Sequence, residues 1–247
     1  MKKTFIHIAC LFVVLTSVAQ NKLKDKKLYH DTYIPEAVID EKYGITMYEK
    51  LNMMLGGDTV RNHNGYAANG FLQDYYTAGQ LLHKGFYVDG QLKIYKNYFP
   101  NGQVERNFRM VDLKKSKMDI FNKDGAEKSK IIYIGNETLK WEDYYPNGML
   151  EFIEVYDKNI QYYVEKANYY EDGSPENTLV LDNKKKLLYT QTYFYKNGQV
   201  KEIGQMKYDK TMFDYTKLGT WVQYDKNGKA TKEIKYVNGV PHSEKSL

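Results

Sequence analysis

The residues best suited to catalysis in this sequence are closely spaced acids. Two adjacent pairs and two nearby glutamates stand out: Glu142-Asp143, Glu151, Glu154 and Glu171-Asp172. Hydrolysis of a glycosidic bond needs two carboxylates at a suitable separation and leaves no local motif. Acids beside polar turns are more commonly solvated charges that pair with lysine. A carbohydrate-active hydrolase is therefore one alternative, and surface charge is the simpler interpretation.

Other catalytic and metal-binding patterns are absent from the sequence. Beyond the first twenty residues there are four histidines, and none lies two or four positions from another: His30, His63, His83 and His242. The chain has no G-x-S-x-G elbow, no glycine-rich phosphate loop and no H-E-x-x-H motif. Its single cysteine, Cys10, lies near the start. We therefore expect a protein that is not an enzyme and that uses no metal or other cofactor.

A row of aromatic residues is the better candidate for binding. Five residues share a position three before a turn glycine: Tyr76, Phe99, Tyr145, Tyr170 and Tyr195. Asn122 and Asp225 occupy the same position in two further places, which suggests partial exposure. Partly exposed rings can stack on sugars or anchor a protein interface. Alternatively, they cover one face of a sheet and join its neighbouring units.

A repeat must position this row. Its turn glycines are Gly79, Gly102, Gly125, Gly148, Gly173, Gly198 and Gly228, at intervals of 23, 23, 23, 25, 25 and 30 residues. Four residues before each glycine stands an aromatic residue: Tyr75, Tyr98, Phe121, Tyr144, Tyr169, Phe194 and Tyr224. Six of the glycines follow Asn or Asp, as a tight hairpin requires. Pro100 and Pro146 favour a three-residue loop with a glycine bulge over a two-residue type I′ turn.

Each repeat also has a second turn. The second turn is clear at Asp89-Gly90 and Asn238-Gly239 and degenerate elsewhere. Two strands per repeat give about fourteen strands. We predict an all-β, elongated, curved antiparallel meander of about seven β-hairpin repeats that buries its aromatic row between neighbouring repeats.

Two blocks of the chain resemble a known family. GFLQDYYTAGQLLHKGFYVDG (70–90) and GTWVQYDKNGKATKEIKYVNGVP (219–241) resemble the MORN-repeat variant of YwqK-like antitoxin proteins. The middle copies depart from the opening Gly-x-Trp: Trp141 keeps the aromatic, whereas Met118, Lys166 and Gln191 replace it. The resemblance implies a β-hairpin scaffold of MORN-like repeats, and it adds an antitoxin or immunity function as an alternative.

The ends of the chain set the domain organisation. Residues 1–20 have the basic, apolar and small-residue regions of a signal peptide, which predicts export to the periplasm or the cell exterior; a retained membrane anchor is the alternative. Residues 21–69 are expected to cap the first repeat, with either a helix over 45–55 or a hairpin around Asn64-Gly65. The repeat domain is placed at 70–240 and a C-terminal tail at 241–247.

Charge and composition limit the partners. The formal charge is +5, and it becomes +3 once the two leader lysines are removed. This balance gives no strong field for nucleic acid or an anionic membrane. Together, these observations predict an exported, non-catalytic scaffold that binds a protein or an envelope polymer through its aromatic-rich face.

Overall fold

The described regular structure is entirely β-strand. The computed structural model describes residues 61–247 apart from positions 64 and 77. The predicted signal peptide at 1–20 and the possible helix at 45–55 lie outside the described residues, as does most of the predicted cap.

Fifteen strands form one antiparallel sheet in chain order, which confirms the predicted open meander. They are β3 (Gly70–Tyr75), β4 (Leu81–Val88), β5 (Gln91–Tyr98), β6 (Val104–Met110), β7 (Lys115–Phe121), β8 (Glu127–Ile134), β9 (Glu137–Tyr144), β10 (Leu150–Tyr156), β11 (Tyr163–Tyr169), β12 (Pro175–Asn183), β13 (Leu188–Phe194), β14 (Val200–Asp209), β15 (Asp214–Tyr224), β16 (Ala230–Val237) and β17 (Val240–Ser246). A separate hairpin precedes the sheet and consists of β1 (Asn62–His63) and β2 (Tyr66–Ala67). Residues 241–247, expected to be a tail, thus include most of the last strand.

The hairpin β1–β2 is the described part of the predicted cap. Its turn contains Gly65, which has a φ of +81°, in agreement with the hairpin alternative for this segment. The hairpin is joined to the first repeat by backbone hydrogen bonds. The amide of Arg61 donates to the carbonyl of Gly90 at 2.7 Å, and the amide of Gly90 donates to the carbonyl of Ala68 at 2.8 Å.

All seven glycine turns share one geometry. In the second repeat the amide of Phe99 donates to the carbonyl of Gln103, and the amide of Gly102 donates to the carbonyl of Phe99, both at 2.8 Å. The seven glycines have φ values between +81° and +89°, a region that only glycine adopts readily. The predicted three-residue loop with a glycine bulge is therefore confirmed.

A β-bulge follows each of these turns. Tyr98 is opposite Val104 whereas Asn97 is opposite Arg106, so Glu105 has no opposite residue. The same shift leaves Leu82, Lys128, Glu151, Glu176, Lys201 and Thr231 unopposed in the other six repeats. A bulge adds local right-handed twist to a strand. Each repeat therefore introduces the same distortion at the same place, three residues after its glycine.

Most buried strand residues lie on one face of the sheet, which we call the core face, whereas Ile153, Ala167 and Thr192 are buried on the other face. Strand pairing places Tyr95, Phe108, Met118, Ile131 and Trp141 side by side in one row of this face. The row continues through Leu179, Gln191 and Gly204, and most of its members are buried. By strand alternation, the aromatic residues four before each glycine lie on the opposite face. All seven are partly buried, so the expected burial of this row between neighbouring repeats is incomplete.

Two glycines inside strands pack beneath large side chains of the core face. A Cβ at Gly204 would overlap the indole of Trp221, and one at Gly85 would overlap the imidazole of His83. Trp221 is fully buried, and its Nε1–H donates to the carbonyl of Gln205 at 3.1 Å. Glycine is needed at these two positions because a larger residue would collide with the side chain above it, not because the chain turns there.

Candidate functional site

The predicted binding residues occupy the first position of the glycine turns. We call Tyr76, Phe99, Tyr145, Tyr170 and Tyr195 the turn row. Each follows directly on the last residue of a strand, with its backbone amide and carbonyl closing the turn. The structure thus places the five residues in equivalent positions along one edge of the sheet. Phe99 is only 6% exposed, and the four tyrosines are partly buried.

The tyrosine hydroxyl groups of the turn row link one repeat to the next. Each donates to the backbone carbonyl of the aromatic residue that ends the corresponding strand of the following repeat. The acceptors are Tyr98 for Tyr76 (2.8 Å), Tyr169 for Tyr145 (2.7 Å), Phe194 for Tyr170 (3.4 Å) and Tyr224 for Tyr195 (2.9 Å). The rings are therefore held by their hydroxyl ends, and the joining of adjacent repeats is one of their roles.

Burial favours the neutral form of two of these hydroxyl groups, those of Tyr76 and Tyr145. Burial, followed by the nearby Glu105 carboxylate, raises the pKa of Tyr76 to about 12. Burial and then the carboxylate of Glu151 raise the pKa of Tyr145 as well. A neutral hydroxyl can donate to a carbonyl, whereas a phenolate cannot. The links made by Tyr76 and Tyr145 are thus available at any physiological pH.

The asparagines of the Asn-Gly turns form a second set of links. Asn101, Asn147 and Asn197 donate through Nδ2 to the carbonyls of Lys123, Glu171 and Lys226 in the next turn, at 3.0, 2.7 and 2.8 Å. Their Oδ1 atoms accept from the amide two residues on. Sequence reasoning assigned these residues only to their own turns. Their recurrence at repeat spacing was the one available signal of this second role.

The acids considered for catalysis are distributed over both faces and the turns. Strand alternation and pairing place Asp143 and Glu154 on the core face and Glu142 on the opposite face. The carboxylate of Asp143 accepts from Ser129 Oγ at 2.5 Å and from Trp141 Nε1 at 2.6 Å.

Glu154 and Glu142 also have partners. The carboxylate of Glu154, only 6% exposed, accepts from the Tyr163 hydroxyl at 3.2 Å. Glu142 forms an ion pair with Lys140 at 2.9 Å on the opposite face. Each of these acids therefore has a structural hydrogen bond or ion pair.

The remaining acids lie near the turns. Glu151 is the unopposed bulge residue of its repeat. Glu171 and Asp172 are exposed in the turn before Gly173. Hydrogen bonds from the Ser174 side chain and amide lower the pKa of Asp172, so it is an anion that fixes its own turn.

A cluster of tyrosines on the core face escaped sequence reasoning. Tyr162, Tyr189 and Tyr208 are buried together with Leu179 and Leu187. The Tyr189 and Tyr215 rings meet edge to face with centroids 5.1 Å apart, and burial raises the pKa of Tyr189 to about 12. The residues come from three successive repeats and do not share one repeat position, so the sequence gave no signal that they meet.

Two polar pairs are buried in the first repeats. Arg61 and Asp74 form a bidentate ion pair at 2.8 and 2.9 Å. His83, which is fully buried, lies 2.7 Å from Asn97 Oδ1 through Nδ1 and 3.2 Å from the Tyr87 hydroxyl through Nε2. Burial lowers the pKa of His83, and the Asp74 carboxylate opposes this effect. The buried imidazole is therefore neutral in the folded protein.

The described part of the chain contains no cluster of side chains suited to hold a metal ion. No three His, Cys, Asp or Glu side chains among those residues come together as a metal site. His242 is exposed on β17, far along the sheet from His83. His30 lies outside the described residues, as does the side chain of His63.

The fold and its turn edge define a β-hairpin repeat protein. The model of the MORN repeat variant matches residues 137–158 and 190–208, so the chain contains MORN repeat variants at two places. The two matches cover strands β9–β10 and most of β13–β14. No curated protein matches the sequence. Among residues 61–247, no helix is both long and apolar enough to cross a bilayer.

Several solved structures show local likeness. A variant of S. aureus TarM, crystallised with fondaparinux, α-GlcNAc-glycerol and UDP, is 14% identical with a TM-score of 0.28; the match covers 45% of this chain and 20% of TarM. TcdB2-TccC3 without its hypervariable C-terminal region is 12% identical with a TM-score of 0.23, covering 71% and 12% of the two chains. A Bacteroides fragilis protein of unknown function is 10% identical with a TM-score of 0.13, covering 61% and 89%. The chain thus spans about a fifth of the length of TarM.

Proposed function

We propose that this protein is an exported, non-catalytic β-repeat scaffold that binds a protein or an envelope polymer through its aromatic-rich face. The turn row is the observation that carries the proposal. It supplies partly buried tyrosine rings in equivalent positions on four of the seven repeats, so that a long partner meets the same kind of contact several times along the sheet. The matches to the MORN repeat variant support the scaffold part of the proposal.

Preorganisation favours the turn row as a binding surface. The hydroxyl of each tyrosine is already bonded to the next repeat, so its ring is held in one orientation before any partner arrives. A partner that packs on a fixed ring loses less conformational freedom than one that must order a mobile side chain. Because the hydroxyl groups are occupied, the partner is expected to use the ring faces rather than new bonds to the phenol oxygen.

Substitution of Tyr145, Tyr170 and Tyr195 separates binding from linking. Replacement of all three by Phe keeps the rings and removes three hydroxyl bonds, each worth about 1 kcal/mol of stability. Partner capture from the envelope fraction of the source cell should then persist at a reduced unfolding midpoint. Replacement of all three by Ala should abolish capture, since each interface anchor contributes about 1 to 3 kcal/mol.

Substitutions of the acids distinguish the proposed scaffold function from the alternative of a carbohydrate-active hydrolase. An enzyme that uses Asp143 and Glu154 should lose activity abruptly on Asp143→Asn or Glu154→Gln, and the tyrosine variants should leave that activity in place. Circular dichroism must show that the alanine variant keeps its β structure. Unchanged capture by a folded alanine variant would refute the proposal.

A further inference from the structure

Like charges face each other on the face opposite the core. Strand pairing puts Lys84 of β4 directly opposite Lys96 of β5, and Arg109 of β6 directly opposite Lys117 of β7. Asn107 is opposite Lys96 and lies two residues before Arg109, so the two pairs share one face and are diagonal neighbours. Four cationic side chains therefore cross four consecutive strands, a distance of about 14 Å.

This arrangement departs from the charge pattern of the next strands. Like charges directly opposite each other destabilise a sheet. On the same face of β7–β9 the order alternates instead, with Asp119 opposite Lys130 and Lys130 opposite Glu142. Lys130 also forms an ion pair with Glu127 at 2.8 Å. The repulsion between like charges in β4–β7 has no counterpart in β7–β9, and it does not stabilise the sheet.

The described acids do not neutralise the four cations. Within residues 61–247 no ion pair includes any of them, whereas Lys130 and Lys140 on the same face are paired. The Asp119 carboxylate, two residues from Lys117, accepts a hydrogen bond from Asn107 Nδ2 at 3.4 Å. Lys84, Lys96 and Arg109 are exposed, so their charges are available to an anionic ligand.

Aromatic rings adjoin the cations. The Phe71 and Phe86 rings lie 4.9 Å apart, and Phe71 is 65% exposed. Lys84 Nζ is 5.5 Å from the centre of the Phe71 ring. Ile94, opposite Phe86 and 49% exposed, extends the apolar surface. The exposed Phe71 ring and the half-buried Phe86 ring thus lie at one end of the cationic strip.

We propose that this strip, formed by Lys84, Lys96, Arg109, Lys117 and the Phe71–Phe86 pair, binds an acidic polysaccharide. The cations would pair with the carboxylate, sulfate or phosphate groups of the polymer, and the phenyl rings would pack against the apolar faces of its sugars. A nucleic acid is less well matched, because the chain as a whole carries only +5. An acidic peptide would satisfy the charges, but its carboxylate side chains offer no extended apolar face to the exposed Phe71 ring, whereas a sugar ring does.

The proposal goes beyond the function proposed above, because it names the class of polymer and assigns it to a different surface. The turn row lies at the glycine turns, whereas the strip crosses the middle of β4–β7. Either surface can fail its test while the other passes.

The test compares two double variants of the full chain. Lys84→Gln/Lys96→Gln removes two unpaired charges, and Lys130→Gln/Lys140→Gln removes two paired charges from the same face. The probe is polygalacturonate, with neutral dextran, poly-glutamate and duplex DNA beside it, and dissociation constants are measured by calorimetry at several salt concentrations. We expect about a tenfold weaker affinity and a clearly shallower salt dependence for the first double variant, and a change of less than about twofold for the second.

The phenyl contribution has its own variant. Phe71→Ala should weaken binding of polygalacturonate with the salt dependence unchanged, and it should leave the weaker binding of poly-glutamate unaltered. Phe213→Ala, which removes a 70% exposed ring outside the strip and the turn row, should leave both unchanged. Equal losses in the two lysine double variants, tighter binding of poly-glutamate or DNA than of polygalacturonate, or no binding of polygalacturonate at all would each overturn the proposal.

Discussion

Replacement of Gly204 by alanine is the sharpest test of how the core is packed. The added methyl group would overlap three atoms of the Trp221 indole, which is fully buried. If the indole shifts slightly, overpacking costs about 1 to 3 kcal/mol. If it is expelled, the loss of its packing costs about 3 to 5 kcal/mol. The hydrogen bond to the Gln205 carbonyl would be lost as well, so we expect a destabilisation of about 3 kcal/mol.

Fluorescence can follow both the stability and the position of the ring. The chain has two tryptophans, so the measurement uses a Trp141→Phe background in which only Trp221 emits. Urea titration gives the unfolding midpoint, and the emission maximum of the folded protein reports exposure of the indole. In Gly204→Ala we expect a lower midpoint and emission shifted to longer wavelength.

Two further variants make this reasoning refutable. Gly198→Ala is the control, because that glycine has a φ of +82° and no atom within 4 Å of an added Cβ. It should cost about 1 to 2 kcal/mol from backbone strain without a shift in emission. In addition, Gly204→Ala should cost little when Trp221 is already alanine. Full additivity of the Gly204 and Trp221 substitutions would show that the two residues do not act as a unit.

Two other predictions follow from residues in unusual environments. Phe213 and Leu187 both have a positive φ, +53° and +50°, but Phe213 is 70% exposed and Leu187 only 9%. Phe213→Gly relieves backbone strain without loss of packing, so it should raise the free energy of unfolding by about 1 kcal/mol. Leu187→Gly also removes a buried side chain, so it should lower the free energy of unfolding by about 2 kcal/mol in urea titration. Changes of the same sign would contradict this difference in packing. The pKa of His83 is lowered in the folded protein, so below about pH 6.5 the unfolded chain binds a proton that the folded protein does not. The free energy of unfolding should therefore be unaffected by His83 above about pH 6.5 and fall below it, by at most about 1.4 kcal/mol per pH unit. Unfolding midpoints between pH 7.5 and 5.5 should show this dependence in the parent and in His242→Asn, and His83→Asn should remove that part of it.

Most of the architecture was predictable because the turns are local. Asn-Gly and Asp-Gly before an apolar alternation require a positive φ at one residue, and this requirement marks Gly102 or Gly148 without knowledge of the rest of the chain. The predicted loop type, antiparallel order and open sheet all follow from such positions. Tyr98 was also correctly recognised as part of the repeat, but its position on the face opposite the core was not predicted, because periodicity cannot say which face of a single sheet is buried.

The candidate sites depended on contacts between repeats. The sequence contained Tyr145 and Asn147 at regular spacing, yet only the structure showed that their polar groups reach the backbone of the next turn. The buried Trp221 over Gly204 likewise needed the register of β14 with β15.

Local spacing alone determined where this chain turns and predicted about fourteen of the fifteen strands of the sheet, because a hairpin is specified by a few neighbouring dihedral angles. The tertiary structure decided which side chains meet across repeats. Lys84, Lys96, Arg109 and Lys117 are scattered in a sequence of nearly balanced charge, and strand register gathers them into one strip. The register is set by how two strands pair, so it cannot be read from the sequence of either strand alone.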